Sequence, residues 1–129
     1  MNGNYLLDTN IVIGIFGNDS AVLSRLSAAI AVYVPAIVLG ELYYGAYKSQ
    51  RPLENCQRIA DFSASCVILA CDMVTAEHYG RIKNALRELG RPIPENDIWI
   101  AALASQHALT VASRDGHFAD VATIATEAW

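Results

Sequence analysis

Apolar positions along this chain alternate between two textures: short runs apolar at every position, and longer segments apolar at every third or fourth. Tyr5, Leu6 and Leu7 form the first short run. A strand apolar on both faces belongs in a buried parallel sheet. It ends abruptly in Asp8, Thr9 and Asn10, and a helical pattern over Ile11 to Phe16 follows at once. Gly17-Asn18-Asp19-Ser20 is a turn, and Asp19 or Ser20 can cap a helix from Ala21 to about Ile30 with Val22, Leu26 and Ile30 on one face. Val32-Tyr33-Val34 is the second strand, and Pro35 suits the first turn of a helix over Ala36 to Lys48. A further helix spans Leu53 to Phe62, and Cys66 to Ala70 is the third strand. Asp72 reads as the N-cap of a long helix from Met73 to about Leu89. The rigid Gly90-Arg91-Pro92-Ile93-Pro94 connection leads to a helix that opens on Glu95-Asn96-Asp97 and runs to about Gln106. Leu109 to Ala112 is the fourth strand, and Thr123-Ile124-Ala125 a short fifth.

Strands alternating with paired helices predict an α/β fold: a three-layer α/β/α sandwich around a central, mostly parallel sheet of four to five strands. No repeat, low-complexity segment or linker divides the 129 residues, so one domain over residues 1–129 is expected. Right-handed crossovers place every strand's carboxyl end on one edge of such a sheet. Chemistry in open α/β sheets sits in the crevice beyond that edge. Apolar residues make up 53% and charged residues 17%, a globular composition. No run of 18 apolar residues and no signal-peptide pattern is present, so a cytoplasmic protein with no membrane partner is expected. The three cysteines, Cys56, Cys66 and Cys71, lack CxxC spacing and read as reduced, mostly buried thiols.

Four acids stand where that crevice would be. Asp8 and Asp115 end strands, and Asp97 opens the helix before the fourth strand. Glu41 shares a helix face with Ile37, Val38, Tyr44 and Gly45, which puts a carboxylate on an apolar stripe. Each has a plain alternative: Asp8 as a helix cap, Asp97 as a dipole partner, Glu41 as a boundary residue reaching water. If they meet, two carboxylates ~4 Å apart repel by about 4 kcal/mol at an effective dielectric near 20. Four therefore need a cation or must partly protonate. An all-oxygen set selects Mg²⁺ or Mn²⁺ over zinc, and such an ion can polarise a phosphodiester and activate water. Thr9, Asn10, Asn96 and Ser113 lie beside the acids and could orient ligands around them.

The motifs Leu7-Asp8-Thr9-Asn10, Glu41-Leu42, Asn96-Asp97 before Ile100-Ala101-Ala102, and Ser113-Arg114-Asp115 with Phe118 resemble those of the PIN domain. Within it, they resemble the VapC-type ribonuclease toxins of bacterial toxin–antitoxin pairs. The resemblance covers essentially the whole chain. It implies that Asp8, Glu41, Asp97 and Asp115 are both the metal-binding and the catalytic carboxylates, with Thr9 supporting them and Ser113 in a Thr-or-Ser position. It further implies Mg²⁺- or Mn²⁺-dependent endonucleolytic cleavage of RNA, homodimerisation, and inhibition by a cognate antitoxin docking near the active-site groove.

A net charge of −4 argues against nucleic acid at first sight. Setting aside four metal-bound carboxylates leaves a neutral remainder, which is compatible with RNA. Arg81, Lys83 and Arg114 are the candidate phosphate contacts, although a charged helix face is usually just solvated. A receiver-type phosphoacceptor domain would want a lysine after a late strand, yet the last lysine is Lys83. A haloacid-dehalogenase-type phosphatase would want a second aspartate where Asn10 stands. A non-catalytic RNA- or partner-binding PIN-like module would have lost an acid, and all four are present. His78, His107 and His117 show no metal-ligand spacing among themselves and read as surface or helix-end residues.

Overall fold

In a computed structural model describing residues 3–129, β1 (Asn4–Leu7) is the central strand of five, in the order β3-β2-β1-β4-β5. Every pairing is parallel, with Leu6 opposite Tyr33 of β2 (Ala31–Pro35) on one side and Val111 of β4 (Thr110–Ala112) on the other. Strand β3 (Val67–Leu69) extends the sheet beyond β2, and β5 (Thr126–Glu127) beyond β4. Leu6 and Leu7 are buried, as a strand covered on both faces requires.

Six helices connect the strands: α1 (Thr9–Phe16), α2 (Ser20–Ala28), α3 (Ala36–Tyr47), α4 (Pro52–Ala64), α5 (Met73–Leu89) and α6 (Glu95–His107). The chain steps outward from β1 to β2 to β3, then returns across the sheet to β4. Right-handed crossovers accordingly put α1–α4 on one face and α5–α6 on the other. The chain leaves β1 and β4 in opposite directions, so a crevice opens between their carboxyl ends. Helix α6 is the core of its layer: Ile98 and Ile100 through Ala104 are all buried. Its alanines let the backbone lie close to the sheet and to α5.

Local chemistry sets the element ends. Asp19 caps α2 by accepting from Ala21 N and Val22 N, and Asp72 forms a capping box with Thr75 at the start of α5. Pro52 occupies the first turn of α4, and Gly90, left-handed at φ 66°, closes α5. Two expectations are corrected. Helix α2 stops at Ala28, and Ile30, expected on its buried face, is 79% exposed. The N–H groups of Ile30 and Ala31 both donate to the Gly3 carbonyl, which draws the chain into β2. The last strand is Thr126–Glu127 rather than Thr123-Ile124-Ala125; Ile124 N donates to Val121 O in a turn, and pairing starts only where Val111 N donates to Ala125 O. The cysteines are free, but only Cys56 and Cys66 are half-buried; Cys71 is exposed. Among the described residues, no helix is long and apolar enough to cross a membrane.

Candidate active site

The crevice between β1 and β4 is closed by a hydrogen-bonded clip. Asp8 N donates to Ala112 O at 3.0 Å, so the chain is still held by the sheet where the acid emerges. Asp8 caps α1, its Oδ1 accepting from Thr9 N at 2.8 Å, while Oδ2 accepts from Ser113 Oγ at 2.7 Å. Both sequence-level roles of Asp8 are therefore realised: it is a helix cap and it lies in the crevice. Ser113 Oγ also accepts from Asp115 N at 2.9 Å, and Asn10 Oδ1 accepts from Arg114 N at 3.2 Å. Asn10 and Ser113 thus tie the loop after β1 to the loop after β4. Asn96, by contrast, is exposed and bonds to none of the acids.

Asp97 enters from the first turn of α6, where Pro94 offers no side-chain cap, and it is 9% exposed. Asp115 caps a short 3-10 helix, Gly116–Asp120, by accepting from His117 N at 2.9 Å. That turn folds the His117 ring back over the acids. Its Nδ1 lies 2.6 Å from Asp97 Oδ2 and 2.9 Å from Asp115 Oδ2. One donor atom each from Asp97, Asp115 and His117 fall within 4.8 Å of one another. His117 is surface-exposed as expected, but its place among the carboxylates was missed. The Asp115-Gly116-His117 order, an acid capping the N–H two residues on, is the signal that could have found it.

The four carboxylates act on one another. Burial pushes the Glu41 carboxyl above its ordinary value, and the charges of Asp8 and Asp97 add to this; the Thr9 hydroxyl opposes it. Asp97 is likewise raised, first by burial and then by Asp8 and Asp115, with His117 opposing. The hydrogen bond that the His117 imidazole donates to Asp97 raises its pKa, helped by the charges of Asp115, Asp97 and Asp8. Thr9 Oγ1 is buried beside Glu41 and makes no well-formed hydrogen bond among the described residues. Surplus negative charge, converging oxygen donors and an unsatisfied buried hydroxyl fit a divalent cation.

The three candidate phosphate contacts are already paired. Arg81 meets Glu77 at 2.6 Å, Lys83 meets Glu95 at 2.6 Å, and Arg114 meets Asp19 at 2.9 Å. Arg114 Nε also donates to the Trp129 carbonyl. A cation the sequence did not single out, Arg58, lies over the Phe16 ring and lines a groove of about 220 Å³. That groove starts at Thr9 and Glu41 and continues along apolar Ile13, Leu42 and Ile59.

The model of the PIN domain matches residues 5–124. Ribonuclease VapC2 of Haemophilus influenzae is 41% identical over 128 residues, covering 97% of each chain. The chain belongs to the PIN-domain family, on its VapC branch. The tRNA(fMet)-specific endonuclease VapC of Shigella flexneri is 34% identical over 97% of each chain. Among solved structures, DNA-bound VapBC from Salmonella typhimurium superposes with a TM-score of 0.90 at 29% identity, covering 98% of both chains. The parallel five-stranded sheet with six helices is accordingly the PIN fold.

Proposed function

We propose that this chain is the endoribonuclease toxin of a toxin–antitoxin pair, working as one catalytic domain with Asp8, Glu41, Asp97 and Asp115 as its metal-binding and catalytic carboxylates. The observation that carries it is the convergence of these four acids at the β1/β4 crevice, on a VapC-like fold. The ion would be Mn²⁺ or Mg²⁺, held by Asp8 and Asp97 from rigid elements and by Asp115 and Glu41 from the crevice walls. When bound, such an ion supplies Lewis-acid charge for phosphodiester hydrolysis. Thr9 N–H and the Ser113 hydroxyl fix both oxygens of Asp8. Burial and the charges of Asp8 and Asp97 raise the proton affinity of Glu41 in the metal-free site, and a bound cation would offset this and hold the carboxylate ionised. Arg58, Arg81, Lys83 and Arg114 would meet phosphates, the last three by trading their present acid partners for the substrate.

The antitoxin would lay an apolar segment along the groove from Ile13 to Ile59, next to Glu41. Its neighbours in fold include VapBC complexes solved on DNA, which supports a partner of that kind. Homodimerisation in the cytoplasm, where free thiols and RNA substrates coexist, completes the proposal.

The test is incubation of purified protein with initiator tRNA, the target named for the Shigella relative, and with a mixed RNA pool. Mn²⁺ or Mg²⁺ is set against EDTA, with Asp97→Asn beside it. Cleavage that needs the ion and Asp97 is expected. Cleavage that survives Asp97→Asn would dismiss the assigned site, and no cleavage of any RNA by antitoxin-free protein would leave a binding-only module.

A further inference from the structure

We infer that His117 is a direct nitrogen ligand of the catalytic ion, and that it tunes this site toward Mn²⁺ over Mg²⁺; the inference rests on the metal-dependent function proposed above. The resemblance and the sequence pattern supply oxygen donors alone. The structure adds an imidazole that neither assigns.

Geometry carries the assignment. Six-coordinate ions of this size hold ligands at about 2.1 Å, which sets neighbouring donors about 3 Å apart and opposite ones about 4.2 Å apart. His117 Nδ1 stands 2.6 Å from Asp97 Oδ2 and 2.9 Å from Asp115 Oδ2, and all three donors lie within 4.8 Å of one another. Adjustments of a few tenths of an ångström would admit an ion between them. The ring is also held in place. Asp115 Oδ1 fixes the His117 N–H at 2.9 Å, and the next residue, Phe118, is 1% exposed and anchors the turn in the core. Nε2 makes no hydrogen bond among the described residues, and the side chain is 45% exposed, so nothing else directs the ring.

Chemistry gives the consequence. Carboxylates and water serve Mg²⁺ and Mn²⁺ alike, whereas imidazole gains affinity along the transition series and adds little for Mg²⁺. A mixed nitrogen–oxygen set therefore separates two ions that four carboxylates treat similarly.

The decisive measurement is pulsed electron paramagnetic resonance on the Mn²⁺-loaded, antitoxin-free full chain. Calorimetric titrations of Mn²⁺ and Mg²⁺ accompany it for wild type, His117→Gln and Asp97→Asn. Nitrogen modulation of the Mn²⁺ signal is expected in wild type and absent in His117→Gln. The Mn²⁺-to-Mg²⁺ affinity ratio should fall about tenfold or more in that variant. Mn²⁺ bound without nitrogen coupling would overturn the inference, and this readout needs no variant to fold. So would His117→Gln binding both ions more tightly, which marks the ring as a competitor bridging two acids. Neither outcome touches the nuclease proposal. Failure of wild type to bind either ion better than Asp97→Asn would overturn both.

Discussion

Replacing Ser113 by alanine tests whether the clip between the two loops builds the site. The hydroxyl makes two short bonds at a position 6% exposed to solvent: it donates to the Asp8 carboxylate at 2.7 Å and accepts from Asp115 N at 2.9 Å. Loss of a bond to a charged group costs about 1.5–3 kcal/mol, and loss of a neutral one about 0.5–1.5 kcal/mol. The 3.5 Å contact from Asn10 Nδ2 is at the limit of a hydrogen bond and adds nothing to the sum. Ser113→Ala should therefore destabilise the fold by about 2–4.5 kcal/mol, a large share of the roughly 5–15 kcal/mol a domain commonly has. Urea denaturation reads this as a lower midpoint at unchanged slope. Because the Asp115 loop loses its tether as well, RNA cleavage should drop by about 10²-fold, the scale expected for ~1 Å misplacements. Ser113→Thr keeps the hydroxyl and should restore most of both. A Ser113→Ala protein within about 1 kcal/mol of wild type and fully active would refute the clip.

Asp97→Asn should abolish cleavage yet raise the melting temperature in EDTA at pH 7–8. Burial and the charges of Asp8 and Asp115 push Asp97 up, so its ionised form opposes folding above about pH 3.9. The gain is of order 1 kcal/mol, and a less stable variant would show that its pairing with His117 outweighs the repulsion. Asp72→Ala should lower the melting temperature at neutral pH, because the Thr75 N–H holds the Asp72 carboxyl below its ordinary value. That benefit is present above an unfolded value near 3.9 and is lost as pH falls through the lower folded one. The difference between the two melts should therefore shrink as the pH falls below that unfolded value. Ile13→Glu alters a 56% exposed residue in the apolar groove. It should spare stability and cleavage but weaken antitoxin binding at least tenfold by isothermal titration, the scale of about 1.4 kcal/mol.

What the chain declares locally and what only folding creates are cleanly separated here. The unbroken Tyr5-Leu6-Leu7 run marked β1 as a strand covered on both faces, and the polar triplet after it marked the crevice edge; the central place of β1 comes from the strand order. Pro35, Pro52, Asp72 and Gly90 set element ends through their own backbone or side-chain chemistry, so those boundaries were legible. The last strand was displaced because two residues cannot show a period of two, and it is defined only by its partner β4. Ile30 was misplaced because the Gly3 carbonyl, not helix propensity, ends α2. The crevice acids could be picked out by position. The Glu77 partner of Arg81 was legible as an i,i+4 pair, whereas the partners of Lys83 and Arg114 were not, since both pairs join residues from different elements. The place of His117 was missed although the Asp115-Gly116-His117 order hints at the turn, because its contact with Asp97, 20 positions away, exists only once the chain has folded.

The pairing of β1 with β4 joins the first strand to one more than a hundred residues later. A ribosome that has delivered β1, β2, β3 and the helices between them has made Asp8 and Glu41 but not Asp97, Ser113 or Asp115. Asp8 waits for Ser113, and Asp97 waits for the turn at His117, so the proposed catalytic centre cannot assemble in a nascent chain that lacks β4 and the turn after it. The proposed site therefore forms only once β4 has docked beside β1.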